Sequence, residues 1–297
     1  MTILVGYPTK RRAKAVLSLA GMLARSKGDD LVVCAVIRDP RVPGMGRDDP
    51  KFRAYVDELA DTALAQARLD APTDVRIRYT RIDTRTIASG LIDAAEQNNA
   101  GLIVVGSAMG RVETVTVSSV ADRLLHSSPL PVAVATRGYR ANGARVRRVT
   151  LAFASDQDSA VQVAAAEELA AQYDAELRLA SFVVNTAPPE TARTHIKGPT
   201  AKQLWTRVIR KEVEMAVAAD AATAHRDPEI VIGEGRDWGE ALDEIDWVPG
   251  DVLVVGSSDA GPLSRVFLGS HAAKIIRNTP VPVIALPRCA AEGLSAQ

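Results

Sequence analysis

Segments from the first half of the chain recur in the second half at a nearly constant spacing. Three pairs, separated by 146 to 151 residues, carry the repeat: residues 3–5 with 149–151, 106–107 with 256–257, and 129–132 with 280–283. Self-similarity at a fixed spacing indicates two copies of one structural unit. Each copy is roughly 140 residues long, which is a usual size for a single domain. The repeat therefore constrains the chain to two similar domains in tandem.

Strand and helix patterns alternate along each copy. Short apolar runs predict strands in the first copy at residues 3–7, 31–37, 75–79, 102–105 and 132–134. Apolar residues recur at helical spacing between them, over residues 13–24, 52–63, 87–95 and 117–125, and Gly28 stands where the first of these helices should end. The second copy repeats the order, with helical patterns over residues 163–173, 205–216, 238–245 and 272–276 and strands over 149–151, 177–184, 252–255 and 283–286.

This alternation predicts an α/β fold in which a parallel sheet is covered by helices on both faces. The runs after Gly101 and Gly250 are apolar without alternation, as expected for central strands that are buried on both sides. We therefore predict two tandem doubly wound, Rossmann-like domains. Their predicted limits are residues 1–137 and 149–288, with a basic linker over 138–148 and a tail over 289–297.

Charge and cysteine content argue against several classes of protein. Lys plus Arg and Asp plus Glu both number 36 among 297 residues, so the net charge gives no argument for binding nucleic acid or a membrane surface. Cys34 and Cys289 form neither a metal motif nor a disulfide framework. The start of the sequence lacks a signal-peptide pattern, and no apolar run approaches the roughly 18 residues of a membrane span. We expect a cytoplasmic protein that binds neither nucleic acid nor membrane.

The segment between the two copies is rich in arginine. Five arginines and no acidic residue occur between residues 137 and 148, together with Gly138 and Gly143. This composition predicts an exposed linker. A phosphate- or RNA-binding patch is the alternative, but aromatic residues that could stack on bases are nearly absent from the segment.

The fourth predicted strand of the second copy ends in a short polar loop. The sequence after Val255 reads Gly-Ser-Ser-Asp-Ala-Gly, and a Gly-Ser pair follows just before the last predicted helix. Ligands of doubly wound sheets bind beyond the carboxyl ends of the strands, where the strand order reverses. Bare glycine backbone and a helix N-terminus both favour an anion there. The two turns therefore predict a phosphate-binding site.

Three better-known motifs do not account for this loop. It lacks the Gly-Lys-Ser/Thr of a Walker A loop, and Gly233, Gly235 and Gly239 miss the Rossmann fingerprint by one position. Residues 256–260 loosely match a nucleophile elbow, but the histidine that follows, His271, opens the neighbouring helix, so a serine hydrolase is disfavoured. His271 directly follows the Gly-Ser pair and is a further candidate to contact a phosphate.

The order of elements, the repeat and the loop resemble the universal stress protein family in its tandem two-domain form. The resemblance covers nearly the whole chain apart from the linker and the tail. It implies that each domain holds a five-stranded parallel sheet of strand order 3-2-1-4-5, and that glycine-rich turns bind the phosphates and ribose of ATP. Gly256, Gly269 and Ser270 match that motif. The family also places an Asp at the end of the first strand, at the position of Ala154 here.

Several positions depart from the family motif. Asp259 replaces its second glycine, and Gly261 partly compensates. In the first copy, Pro8 stands at the Asp position and Ser118-Ser119 replaces the Gly-Ser pair. We therefore assign the candidate nucleotide site to the second copy, with these residues: Ala154, Ser155, Asp156, Gly256, Ser257, Ser258, Gly261, Gly269, Ser270 and His271.

Two functions are consistent with the sequence. In the first, a regulatory protein binds ATP or another adenine nucleotide, with or without Mg²⁺. Since no residue is evidently placed to activate an attacking water, we expect no enzymatic activity beyond slow hydrolysis. In the second, the chain is a nucleotide-free module that acts through protein partners. In both, we expect the last strands of the two domains to pack together as an intramolecular pseudo-dimer that covers two sheet edges, and a homodimer is a further alternative.

Overall fold

The computed structural model describes residues 1–9, 13–38, 50–107, 118–153, 159–184, 207–208, 211, 228–256 and 270–287. Within these ranges the first copy forms β1 (Thr2–Tyr7), α1 (Lys14–Lys27), β2 (Asp30–Arg38), α2 (Pro50–Asp70), β3 (Ile77–Thr84), α3 (Ile87–Gln97), β4 (Ala100–Gly106), α4 (Ser119–Ser127) and β5 (Val132–Ala135). The second copy forms β6 (Arg148–Ala152), α5 (Ser159–Gln172), β7 (Glu176–Val184), β8 (Glu229–Gly235), α6 (Trp238–Asp243), β9 (Asp251–Val255), α7 (Ser270–Asn278) and β10 (Val283–Ala285). The helix predicted over residues 205–216 lies mostly outside the described residues.

The ten strands form one mixed sheet in the order β3-β2-β1-β4-β5-β10-β9-β6-β7-β8. Strands within each copy run parallel, so each half has the predicted order 3-2-1-4-5. The halves meet at β5 and β10, which pair antiparallel with Val283 opposite Val134 and Ala285 opposite Val132. The predicted contact between the last strands is therefore an edge-to-edge pairing. Because this pairing is antiparallel, the strands of the two halves point in opposite directions. The carboxyl ends of the strands in one half therefore lie on the side of the sheet where the strands of the other half begin.

Helices cover both faces of this sheet. The core on one face joins residues of α1, α2 and α5 with strands of both halves, and the core on the other face joins residues of α3, α4, α6 and α7 with strands of both halves. Each face is thus one apolar core that continues across the pairing of β5 with β10. All five residues of β9 are buried, which explains why its apolar run does not alternate. None of the described helices combines the length and the apolarity needed to cross a membrane.

The linker is anchored to the first half at two points. Several of its arginines are exposed, but Ala141 and Val146 are buried. The backbone N–H groups of these two residues donate to hydroxyls of α1, from Ala141 to Ser18 and from Val146 to Ser26, each over 2.7 Å. Most residues of the segment are exposed, as the sequence predicts, while Ala141 and Val146 anchor it along α1.

Candidate functional site

The loop identified in the sequence begins where the strand order of the second half reverses. In the order β10-β9-β6-β7-β8, the chain passes from β6 to β7 on one side and later to β9 on the other side. The strands β6 and β9 are direct neighbours, with Leu151 opposite Val254. Such a reversal leaves a crevice beyond the carboxyl ends of the two strands, where open α/β sheets bind ligands. Gly256 directly follows β9 and therefore lies at this crevice.

Three of the ten predicted site residues belong to the described part of the chain. Gly256 follows β9, Ser270 is the first residue of α7, and His271 is the second. The other seven lie outside the described residues, and their role stays a prediction: Ala154, Ser155, Asp156, Ser257, Ser258, Gly261 and Gly269.

The structure adds a residue that the sequence interpretation missed. Gln162 lies in the first turn of α5, and its side-chain amide packs against Gly256. A Cβ atom at Gly256 would come within 2.7 Å of Gln162 Cδ and 2.9 Å of its Oε1, so a larger residue at this position would displace the Gln162 amide. The contact depends on β6 and β9 being neighbours, and no local pattern in the sequence marks Gln162 as part of the site.

The first half contains a corresponding contact at the carboxyl ends of its own strands. The register of β1 with β2 recurs in β6 with β7 at an offset of 146 residues, so Val16 of α1 corresponds to Gln162 of α5. Gly106 corresponds to Gly256 through the repeat. A Cβ atom at Gly106 would come within 2.9 Å of Val16 Cγ2, and Val16 is buried. The same position is thus apolar in the first half and carries an amide in the second.

Ser118 fixes the turn before α4 in the first half. Its hydroxyl donates to the carbonyl oxygen of Gly106 over 3.1 Å and accepts from Ala121 N over 3.0 Å, as the N-cap of α4. This bond satisfies one of the free N–H groups at the start of the helix. The residue that precedes α7 is Gly269, which has no side chain to make either bond.

His271 packs against an aromatic side chain at the start of α6. The ring centroids of His271 and Trp238 are 5.5 Å apart, and Trp238 lies 6.3 Å from Phe182. Lys274 places its Nζ 6.0 Å from the Trp238 ring centroid. These contacts keep the His271 ring packed against Trp238, beside the first turn of α7. Its predicted contact with a phosphate stays a prediction.

The glycines that nearly match a Rossmann fingerprint have a packing role. Gly233 and Gly235 lie in β8, where a Cβ atom at either position would clash with the backbone of Ala241 in α6. Asp237 caps α6 by accepting a hydrogen bond from Glu240 N over 3.0 Å. This segment therefore serves close strand–helix packing.

Comparisons with known proteins agree with this architecture. The chain matches the model of the Universal stress protein family twice, over residues 1–136 and 145–287. Universal stress protein Rv2319c of Mycobacterium tuberculosis is 33% identical over 294 residues, which cover 97% of this chain and 100% of that relative. Universal stress protein Mb2346c of Mycobacterium bovis matches to the same extent.

Solved structures share the fold at lower sequence identity. A universal stress protein from Archaeoglobus fulgidus DSM 4304 is 18% identical, with a TM-score of 0.62 over 96% of this chain and 98% of its own. A functionally unknown protein, PA1789 from Pseudomonas aeruginosa PAO1, is 16% identical, with a TM-score of 0.57 over 98% of this chain and 94% of its own. Together with the two family matches and the nearly full-length relatives, these likenesses lead to one conclusion: the chain belongs to the universal stress protein family and carries two copies of its fold in tandem.

Proposed function

We propose that this chain is a regulatory protein that binds an adenine nucleotide, such as ATP, in its second half alone. The contrast between Ser118 and Gly269 carries the proposal. In the first half, the serine hydroxyl occupies the start of α4 and ties it to Gly106. In the second half, the corresponding glycine leaves the N–H groups at the start of α7 without a cap from that position.

The position of this helix supports an anionic ligand. The first N–H groups of an α-helix lack partners within the helix and carry a partial positive charge, so they favour a phosphate. Gly256 lies at the reversal of strand order, where open α/β sheets bind ligands, and its backbone carries no side chain. A nucleotide that extends along this crevice would place its phosphates between the end of β9 and the start of α7.

The first half argues for a single site. Ser118 bridges Gly106 to α4, so a hydrogen-bonded side chain occupies the region that corresponds to the start of α7 in the second half. A phosphate there would have to displace the Ser118 cap. We infer that the two halves have diverged, with one retained for stability and one for binding.

Binding without efficient turnover is the favoured activity. Hydrolysis needs a group that positions and deprotonates an attacking water. The described residues at the crevice offer Gly256 and the neutral amide of Gln162, and the His271 ring packs on Trp238. Nucleotide occupancy would then act by stabilising the surface around α5 and α7 rather than by chemistry.

A substitution that copies the first half into the second tests the site. ATP with Mg²⁺ at 100 times its Kd should stabilise the wild-type chain by about 2.7 kcal/mol and raise its Tm. Gly269→Ser should abolish this shift without lowering the Tm measured in the absence of ligand, since serine is a good N-cap. Ser118→Gly is the matched control and should leave the shift caused by ATP unchanged.

Two outcomes would contradict the proposal. If millimolar ATP leaves the wild-type Tm unchanged, the chain is better described as a nucleotide-free module that acts through protein partners. If Gly269→Ser shows the full wild-type shift, a nucleotide binds elsewhere on the chain.

A further inference from the structure

The linker carries the one Asn-Gly dipeptide of the chain, Asn142-Gly143, at an exposed turn. The two residues have φ of 47° and 81°, and the turn is closed by a hydrogen bond from Ala144 N to Ala141 O over 2.8 Å. Positive φ at both central residues is the pattern of a type I′ turn, in which Asn and Gly are favoured. The dipeptide is therefore well suited to the turn, but it also places a side-chain amide beside an unhindered backbone nitrogen.

This backbone nitrogen, Gly143 N, is open to solvent and to the neighbouring side chain. Within the described part of the chain, neither Gly143 N nor the Asn142 amide has a hydrogen-bond partner. A Cβ atom at Gly143 would meet no other atom within 4 Å, so the turn projects into open space. Since glycine has no side chain, nothing attached to Gly143 hinders the approach of its nitrogen to Asn142 Cγ.

We propose that Asn142 is a site of spontaneous deamidation, with water as the co-reactant. Gly143 N loses its proton to solvent and forms a bond to Asn142 Cγ. The bond between Cγ and the side-chain nitrogen breaks, and this nitrogen leaves as ammonia after taking up a proton, which closes a five-membered succinimide ring. Water then adds to one of the two ring carbonyls and opens the ring. The product at position 142 is aspartate or isoaspartate, according to which carbonyl is attacked.

Opening of the turn controls the rate of this reaction. Ring closure rotates the peptide that joins Asn142 to Gly143, so the bond from Ala144 N to Ala141 O has to break first. The start of the turn is tied to α1, because Ala141 N donates to the Ser18 hydroxyl over 2.7 Å. Exposed backbone segments of this kind open locally without unfolding of the core. Ser18 therefore slows the reaction by holding the turn closed.

Both products alter the linker between its two anchors. Each adds a negative charge between the exposed Arg140 and Arg145. Isoaspartate also routes the main chain through the side-chain carbons, which adds one carbon atom to the backbone between Ala141 and Val146. These two residues donate to fixed hydroxyls of α1, so a lengthened turn fits both bonds less well. Deamidation therefore loosens the segment that joins the two halves.

Incubation of the whole chain in heavy-oxygen water at mildly alkaline pH, followed by peptide mass spectrometry, tests the proposal. The peptide that contains Asn142 should lose its amide nitrogen, gain one heavy oxygen and yield isoaspartate as well as aspartate. Asn99 is the internal control, because it is also exposed and left-handed, with φ of 49°, but is followed by Ala100 in β4. Asn99 should stay unmodified in the same sample.

A pair of variants tests the control by Ser18. Ser18→Ala removes the acceptor of Ala141 N and should raise the rate at Asn142 roughly tenfold, as expected when the loss of one hydrogen bond makes local opening easier. Ser127→Ala is the matched control, since its hydroxyl bonds within α4, and it should react at the wild-type rate. Modified chains, separated by ion exchange, should have a lower urea midpoint than unmodified ones.

Four outcomes would contradict these expectations. If Asn142 stays intact while a short peptide of residues 139–146 is modified under the same conditions, the folded turn blocks the reaction and the inference is overturned. Equal rates at Asn142 and Asn99 would overturn it as well, and both results come from the wild-type chain whether or not Ser18→Ala folds. A wild-type rate in folded Ser18→Ala would exclude control by the turn. Equal urea midpoints for modified and unmodified chains would exclude loosening of the linker.

Discussion

Arg178 and Asp251 form an ion pair inside the second half of the sheet, with Nη2 and Oδ2 3.5 Å apart and side chains that are 2% and 0% exposed. Arg148 Nη2 lies 2.7 Å from the same oxygen. Arg178 also donates to Thr150 Oγ1 over 3.1 Å, and its guanidinium lies 4.8 Å from the Trp247 ring centroid. Burial lowers the pKa of Arg178, and the charge of Arg148 acts in the same direction, while Asp251 opposes both. Asp251 is therefore the counter-charge that makes this buried cluster stable.

Removing this counter-charge should strongly destabilise the second half. Asp251→Ala leaves the buried Arg178 facing the partly buried Arg148 without a counter-charge, and we expect the free energy of unfolding to fall by about 3–5 kcal/mol. Urea denaturation followed by circular dichroism measures the loss. Glu240→Ala is the control, because it breaks an exposed pair with Arg236 and should have little effect. A wild-type urea midpoint for Asp251→Ala would show that the pair contributes nothing net.

A second prediction, with a smaller expected loss of stability, concerns the N-cap of α4. Ser118→Ala removes the side-chain oxygen that accepts from Ala121 N, and we expect a loss of about 1 kcal/mol in the free energy of unfolding. Ser118→Gly should lose less, because glycine is tolerated at N-caps. The comparison of the two variants by urea denaturation separates the cap from the bond to Gly106. Equal losses would assign the effect to that second bond.

The backbone framework could largely be predicted from the sequence. Apolar runs without alternation identified β4 and β9, because strands buried on both faces have no polar side. The sequence predicts that Gly28 ends α1, and it does so in a left-handed conformation with φ of 77°. The strand order came from the family resemblance. These features depend on local patterns or on the shared fold, which is why they were accessible.

Features that depend on distant contacts were not predictable. The sequence pattern does not predict β8, because Gly233 and Gly235 interrupt its apolar run. These glycines allow α6 to pass close to the strand. The approach of Gln162 to Gly256 requires β6 and β9 to be neighbours. The charge of Arg178 within the largely apolar strand β7 is explained by Asp251, which lies on the strand β9. In each case the partner lies on a different element, so no single stretch of sequence contains the explanation.

The hydrogen bonds between the linker and α1 should affect both the free energy of unfolding and the rate at which trypsin cuts the linker. Ser26→Ala leaves the buried N–H of Val146 without its acceptor, and we expect a loss of about 1–3 kcal/mol. Trypsin should then cut faster after Arg145 and Arg147, because local opening of the linker becomes easier. Ser127→Ala is the matched control, since its hydroxyl bonds within its own helix. A cleavage rate equal to wild type would mean that this bond does not hold the linker in place.

Tyr139 should make the folded chain sensitive to alkaline pH. Burial raises the pKa of Tyr139 to about 12, with the charge of Asp251 as the second cause, from an ordinary value of 10.0. Below pH 10 the phenol is neutral in both states, and as pH rises through 12 the unfolded chain releases its proton first, so stability is progressively lost. Tyr139→Phe has no phenol to ionise and should lose less stability between about pH 10 and pH 12. Tyr139→Phe also loses the hydrogen bond from the Tyr139 hydroxyl to Met22 Sδ. The difference between the urea midpoints of the two proteins at about pH 8, where the phenol is neutral, measures that loss separately from the effect of ionisation. Parallel alkaline declines in the two proteins would show that Tyr139 ionises as readily in the folded chain as in the unfolded one.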